Sequence, residues 1–508
     1  MGQRFHSVTL LEDKCRGCTN CIKGCPTEAI RVRAGKARIN ADRCTDCGEC
    51  IRRCDNHAKI AVTDPLERLS EFRYRIALPP PALYGQFEEG TDPERVLEAF
   101  LEIGFDEVYE VAFAADIMSI ATREFVLHSG KGARPYISSA CPAVVRLIQV
   151  RFPGLIDNLV PLDPPITAAA KLAKKEKAER LGLRPEEIGA FFITPCPAKA
   201  TWIKESILSG KSFIDGAISV ASIYPELLKA LAAANGKAAA NGNRKAAIAG
   251  ATPVDGDCKA MGMGDGNRWR EKEERRALAK RGGLQRASGF GIGWGTSGGE
   301  NEAVGVDDYL VVDGIHNVIA VLEEVEMGKL DSIDFIEAQA CIGGCVGGPL
   351  MVRNPFIGRV ALRKLVARFK GRPLLPGEDR EKFLRLYHEG FFDMQEEIIP
   401  LPAFKLDQDM AKAISKMEEL EKVLQELPGL DCGSCGSPHC RALAEDIVQG
   451  LAVETDCVFK LREQVKILAE ELFILAQKDP SAIGKREELK EEARGEPAPS
   501  EGTRDTNA

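Results

Sequence analysis

Glu337-Ala338-Gln339-Ala340-Cys341-Ile342-Gly343-Gly344-Cys345-Val346-Gly347-Gly348-Pro349 is the stretch on which the reading of this chain turns. A short apolar run at 335–338 reads as a strand. It leads straight into two cysteines separated by an Ile-Gly-Gly step. Glycines between and after the cysteines let the backbone come close to an inorganic group, which a Cβ would hold off. Two other loops carry one cysteine each, beside a proline: Ser138-Ser139-Ala140-Cys141-Pro142 and Thr194-Pro195-Cys196-Pro197-Ala198-Lys199. Cys141, Cys196, Cys341 and Cys345 together supply four thiolates, enough for one iron–sulfur cubane. Lys199, three residues after Cys196, is placed to set a cation beside an anionic cofactor.

Working outward, sixteen of the seventeen cysteines fall into metal-binding patterns, and Cys258 is left over. Near the N-terminus, Cys15-x-x-Cys18-x-x-Cys21-x-x-x-Cys25-Pro26 is followed by Cys44-x-x-Cys47-x-x-Cys50-x-x-x-Cys54. This is the bacterial two-cluster ferredoxin run, in which the fourth cysteine of each set ligates the other cubane. Cys15, Cys18, Cys21 and Cys54 are therefore expected on one [4Fe-4S] cluster, and Cys44, Cys47, Cys50 and Cys25 on the second. The second run ends Cys54-Asp55 rather than Cys-Pro, a departure that touches the turn more than the ligands. At the other end, Asp431-Cys432-Gly-Ser-Cys435-Gly-Ser-Pro-His439-Cys440 is followed by Cys457. These four thiolates suit a [4Fe-4S] cluster, with zinc as the alternative that spacing alone leaves open. His439 would either tune that cluster or lie exposed.

The 508 residues, 44% hydrophobic and 28% charged, describe a globular protein of about three domains. A formal charge of −8 argues against a nucleic-acid partner, which would call for a basic stripe. No run of about 18 apolar residues exists to span a membrane. The start Met1-Gly-Gln-Arg-Phe-His6 has no apolar leader, so a cytoplasmic location is expected, with metal ligation rather than disulfides. Between about 70 and 400, apolar strands (74–78, 190–194, 246–249, 335–338) alternate with amphipathic helices (94–103, 166–180, 222–234, 314–326). The stretch 232–243 reads as a flexible connection, and 268–286 as a solvated helix of paired charges. A helix over 404–427 presents Met410, Ile414, Met417, Leu420, Val423 and Leu424 on one face, and another helix runs from the last cysteine to about 477. The charged tail 479–508 reads as disordered.

Taken together, the three central motifs resemble the signatures of the [FeFe]-hydrogenase catalytic domain, in order and at comparable spacing. The resemblance covers residues 1–400, including Phe-Asp-Glu-Val-Tyr-Glu-Val-Ala-Phe-Ala-Ala-Asp-Ile at 105–117 and Gly314-Ile-His-Asn-Val. It implies an α/β catalytic domain of two lobes around an H-cluster, preceded by an α+β ferredoxin domain and followed by a small helical [4Fe-4S] domain. The boundaries are then 1–68, 69–400 and 401–478, with the tail at 479–508. It further implies that Cys141, Cys196, Cys341 and Cys345 bind a cubane. Cys345 would bridge to a two-iron subsite carrying carbon monoxide, cyanide and a bridging dithiolate. Lys199 would hydrogen-bond a cyanide, and 79–82 would line the pocket. Hydrogen, protons, a ferredoxin or signalling protein as redox partner, and maturases that build the subsite are the implied partners.

The departures from the family pattern carry as much weight. Ala140 stands where fast members of the family have a cysteine that relays protons, and a methyl group carries none. Gln339 replaces a methionine that packs on the subsite, and Trp294-Gly-Thr-Ser-Gly-Gly-Glu300 is worded differently. These changes resemble the sensory branch of the family, whose members are slow. Asp255, Asp257, Cys258 and Glu300 are candidates for another proton route. The expected function is slow interconversion of H₂ with protons and electrons, sensory or regulatory in role. The alternative is a non-catalytic electron-transfer or iron–sulfur assembly scaffold without the two-iron subsite.

Overall fold

The computed structural model describes residues 5–129, 134–247, 283–401, 403–407 and 409–478. Two compact units divide the chain, Met1–Lys405 and Leu406–Ala508. The first contains the N-terminal cysteine module. There β1 (Val8–Leu10) pairs antiparallel with β4 (Lys59–Ala61), and β2 (Ile30–Arg33) with β3 (Lys36–Ile39). Its core is small, with Val8, Ile22, Ile30 and Ala37 buried among the thiols of Cys15, Cys21, Cys25 and Cys50. So few apolar side chains leave the module dependent on what its cysteines hold.

The larger part of this unit is built on two parallel sheets. One has the order β6 (Glu107–Val108), β5 (Tyr74–Leu78), β8 (Ile188–Thr194), β9 (Gly216–Ser219). The other has the order β10 (Tyr309–Asp313), β11 (Phe335–Gln339), β7 (Tyr136–Ile137). Every pairing in both sheets is parallel. Parallel strands are covered by crossover helices on both faces, so their sequences run apolar without alternation. That is why β8, Ile-Gly-Ala-Phe-Phe-Ile-Thr, is buried at all seven positions. Phe191, Phe192 and Phe335 are fully buried, each worth about 1.5–3 kcal/mol of apolar transfer.

Parallel topology sets the place of the site. In open parallel sheets ligands bind beyond the carboxyl ends of the strands. Here β7 leads to Ser138–Cys141, β8 to Pro195–Cys196, β11 to Cys341, and β5 to Pro79–Ala82. One topological rule thus gathers four segments scattered between Pro79 and Cys341.

Several expected elements differ. The strand expected at 246–249 is not formed at Ala246 and Ala247, which end the helix Val220–Ala247; residues 248 and 249 lie outside the described residues. That helix also runs through 232–243, where a flexible connection was expected. Its alanines favour helix more than the interspersed Gly and Asn oppose it. Residues 283–286 are not helical. Glu94 accepts the N–H groups of Leu284 and Gln285, and Glu110 those of Arg286 and Ala287. The Arg286 guanidinium lies 3.8 Å from the centre of the Phe113 ring, a cation–π contact rather than a solvated charge. The remainder of 268–282, Asp255, Asp257, Cys258 and the tail lie outside the described residues.

In the second unit the helix Met410–Glu426 starts at the capping side chain of Asp409. Of its expected apolar face, Leu420 is buried while Met410, Ile414 and Met417 are exposed. Helices Cys440–Val448 and Val458–Lys478 follow. Among the described residues no helix is long and apolar enough to cross a membrane.

Candidate active site

Cys141 and Cys196 occupy equivalent positions. Each is the capping residue immediately before a proline that opens a helix, Pro142–Arg151 and Pro197–Leu208. Proline suits the first helical turn because its missing N–H would have no partner there. The thiol just before it faces the positive end of the helix dipole, which favours thiolate. Cys341 and Cys345 reach the same place from the end of β11. Gly344 has φ +92°, and a Cβ there would stand 2.5 Å from the Ser297 nitrogen and 2.6 Å from Gln339 Oε1. No other residue fits that approach.

The four thiols line one cavity of about 70 Å³ together with Ala140, Lys199, Glu300 and Gln339. Pro80 and Pro81 from the loop after β5 form part of its wall. Burial pushes the Cys196 thiol up to about 12 and the Cys341 thiol up to about 11, and it raises Cys345 as well. Thiols so buried become thiolates only when a cation compensates them. Part of that compensation is Lys199, 6% exposed, whose Nζ lies 3.7 Å from Cys345 Sγ. Burial opposes its charge, but the surrounding thiolates outweigh burial and hold it above its ordinary value.

Two carboxylates sit behind the thiols. Ser138 donates to Glu300, its Oγ standing 2.7 and 2.8 Å from the two carboxylate oxygens. Glu337, wholly buried on β11, accepts from the backbone N–H groups of Gly298 and Asn301, each at 2.8 Å. Gln339 Nε2 donates to Glu337 at 3.0 Å, while Gln339 Oε1 is buried with no hydrogen-bond partner. Burial first, and then the charge of Glu337, raises Glu300 above the usual carboxylate range. Burial likewise raises Glu337, against the pull of its backbone donors. Such a pair shares protons as a unit. A cavity of about 10 Å³, room for about one water, adjoins Ser138, Glu300 and Asp163. Asp163 also lines an open cleft of about 700 Å³. Its Oδ2 stands 2.5 Å from Lys171 Nζ, and burial pushes its carboxyl up to about 6.

The N-terminal module meets this site directly. Arg52 donates from Nη2 to the Gly347 carbonyl at 2.8 Å and reaches the Cys341 thiol. Gly48 (φ +77°) lies so close to Pro349 that a Cβ would meet its ring at 2.4 Å. Ser7 N–H donates to Thr201 Oγ1 at 2.9 Å. Within the module, Cys15, Cys18, Cys21 and Cys54 surround one pocket, and Cys25, Cys44, Cys47 and Cys50 another.

In the second unit, Cys435, Cys440 and Cys457 share a core, while Cys432 is exposed. His439 accepts the Ala442 N–H through Nδ1 at 3.1 Å, so it caps the helix Cys440–Val448 rather than lying free.

The family model for the C-terminal domain of the iron-only hydrogenase large subunit matches residues 74–254 and 271–349, about half of the chain. The chain belongs to the iron-only hydrogenase large-subunit family. A 4Fe-4S dicluster model matches 7–55, and an iron–sulfur cluster model matches 427–459. The architecture is therefore a hydrogenase catalytic fold between an N-terminal dicluster domain and a C-terminal Fe–S domain. One relative is the periplasmic [Fe] hydrogenase large subunit of Nitratidesulfovibrio vulgaris, 32% identical over 214 residues, covering 39% of this chain and 51% of that protein. Another is the NADP-reducing hydrogenase subunit HndD of Solidesulfovibrio fructosivorans, 24% identical over 315 residues, covering 58% and 52%. The chain spans about half the length of these two curated relatives. The solved [FeFe]-hydrogenase HydA1 of Chlamydomonas reinhardtii aligns with TM-score 0.42 and 17% identity, over 67% of this chain and 97% of that one. That likeness is too slight to carry fold or chemistry.

The structure also brings in residues to which the sequence motifs assign no role. Glu337 and Ser138 lie within those motifs, whereas Arg52 and Asp163 lie outside the three central ones. For Glu337 the sequence does hold a signal, an acidic residue inside an otherwise apolar buried strand.

Proposed function

We propose that this hydrogenase-family chain interconverts H₂ with protons and electrons, slowly and in a sensory or regulatory role. The observation that carries this reading is Lys199. A buried ammonium is costly without an anion. Among the described residues its hydrogen-bonding contact is the Cys345 sulfur, so the cavity is suited to an anionic guest. This feature favours a two-iron subsite bearing anionic ligands over a scaffold protein that holds cubanes alone.

In this reading Cys141, Cys196, Cys341 and Cys345 would hold the cubane, and Cys345 would also help to hold the two-iron group. When bound, that group supplies the site of hydrogen cleavage and formation. The chain's own residues position it and manage charge. Lys199 Nζ orients it, and Ala140 presents only a methyl group where a relay thiol would stand. Glu300, whose carboxyl is raised by burial and by the charge of Glu337, holds a proton that it exchanges with Ser138 Oγ. The Cys25/Cys44/Cys47/Cys50 and Cys15/Cys18/Cys21/Cys54 quartets would hold the [4Fe-4S] clusters that supply electron transfer to a redox partner. The Cys432/Cys435/Cys440/Cys457 quartet is the fourth [4Fe-4S] site. Maturases deliver the two-iron group, and the many free thiols suit a reducing compartment such as the cytoplasm.

The test is infrared spectroscopy of anaerobically prepared protein loaded with the two-iron cofactor. Iron-bound carbon monoxide and cyanide bands that change under H₂ are expected. Their absence from protein carrying its cubanes would make the chain an electron-transfer or scaffold relative.

A further inference from the structure

The helix Val458–Lys478 begins at the residue after Cys457 and leaves its apolar side chains uncovered. Val458, Leu461, Val465, Leu468, Leu472 and Leu475 are between 41% and 65% exposed. Their spacing alternates three and four, which is the a/d repeat of a coiled coil over three heptads. Val458, Val465 and Leu472 take the a positions, and Leu461, Leu468 and Leu475 the d positions. Among parallel coiled coils, a seam that is mostly β-branched at a and leucine at d favours two strands. The core of this unit is made by Leu420, Leu427, Leu443, Ala444 and Cys457, with no side chain among the described residues from Val458 onward. Among the described residues the helix therefore has an uncovered apolar stripe, with Phe459, Ile467, Phe473 and Ile474 also exposed at the b and c positions beside it.

We propose that Val458–Lys478 is the seam of a parallel two-stranded coiled coil between two copies of this chain, pairing their C-terminal cysteine quartets at one end. The occupant is a second copy because the stripe is self-complementary: a 3.5-residue repeat meets the same repeat in register. The area suffices. Twelve valine and leucine side chains across the pair bury on the order of 700–1,400 Å², which reaches the range of specific interfaces. The flanking positions do not oppose pairing in register. Gln464 and Glu471 at g face Ala469 and Ala476 at e of the second copy, so no like charges meet across the seam.

The geometry has a consequence for the quartets. Helices in such a seam run about 10 Å apart, and Cys457 is one residue ahead of the first a position. Two quartets are thus brought beside the same end of one rod. A change in their redox state would bear on the packing of the first heptad. This inference is independent of the hydrogenase reading, since it concerns only the unit beginning at Leu406.

The test uses the full chain, purified anaerobically with its clusters, in sedimentation equilibrium. The parent is expected at twice the chain mass at about 10 µM. Leu468→Lys at the central d position is expected to yield monomer, with at least a tenfold weaker association. Glu470→Lys on the outer face is expected to leave the mass unchanged. Because Leu468 is exposed, its substitution leaves the fold intact, which circular dichroism verifies. Leu472→Cys lies off the helix centre, so mild oxidation links two copies only if the strands run parallel in register. A monomeric parent would overturn the proposal, the stripe then covering the Met1–Lys405 unit or another protein. A dimer that survives Leu468→Lys would overturn it too, by locating the interface elsewhere. A dimer lost in Leu468→Lys but not linked in Leu472→Cys would overturn the parallel register.

Discussion

The N-terminal and central cysteine quartets hold the same number of thiols and are built in opposite ways. Each N-terminal quartet takes three ligands from one tight Cys-x-x-Cys-x-x-Cys loop, and its pocket is lined by apolar residues with Asp46 and Glu49 at one and Arg16, Arg53 and Lys59 at the other. The central quartet takes its ligands from three loops 55 and 145 positions apart, each at the carboxyl end of a parallel strand. It brings with it a buried lysine, two buried glutamates and a glutamine. A site that passes only electrons needs thiolates and a short path. A site that also handles protons needs a group that can hold one beside the thiols, as Glu300 lines the central cavity here. Under the proposed function, the difference in construction would be a difference in what each quartet handles.

This contrast can be broken or sharpened at five positions. The largest effect is expected from Lys199→Met. Removing the buried cation should leave the cubanes unchanged by electron paramagnetic resonance while the carbon monoxide and cyanide infrared bands fall at least ~10-fold, in line with the loss of a group that orients a metal centre. Retention of full band intensity would show that the lysine does not hold the guest. Next comes Glu300→Gln, which keeps the shape and removes the exchangeable proton. Turnover should fall about 10²-fold or more with the infrared bands intact, and Asp163→Asn should lower it less. Ala140→Cys should raise turnover by supplying a second relay.

A smaller effect is expected at the join between the two kinds of quartet. Arg52→Gln withdraws a positive charge from Cys341, so the central cubane should become harder to reduce, by about 60 mV for a tenfold change in a one-electron equilibrium. The Cys15/Cys18/Cys21/Cys54 cluster serves as the internal control in the same redox titration. The smallest effect concerns pH. Glu300 and Glu337 have folded pKa values raised above their unfolded ones, so the stability they contribute is fully present below about pH 4.5. It is lost as pH rises through the folded values, because the unfolded chain gives up its protons first. Melting temperature should therefore decline toward alkaline pH, and Glu300→Gln should flatten that decline by about 1–2 °C.

What sequence could reveal follows from how far apart the partners lie. Spacing within a loop is local, so the cysteine sets could be read as expected ligands, and β5, β11 and the helices beginning near Pro93 and Pro165 were legible. The Glu300–Ser138 contact joins residues 162 apart, and Arg52–Gly347 joins residues 295 apart. No periodicity records such meetings, which depend on the packing of two sheets. Local reading also failed where two tendencies compete. Gly and Asn within 232–243 suggested a break, but the alanines around them continue the helix to Ala247. The role of His439 was hidden for a different reason: a side chain that caps the helix behind it leaves no trace in spacing.

The paired positions of Cys141 and Cys196 at the heads of two helices have one further effect. Each helix start carries about half a positive charge from its aligned peptide groups. Under the proposed function, a cluster held by these thiolates would meet nearly one unit of charge that is neither titrated by pH nor supplied by any side chain. The backbone itself would thus favour an added electron at the central quartet, whatever the pH.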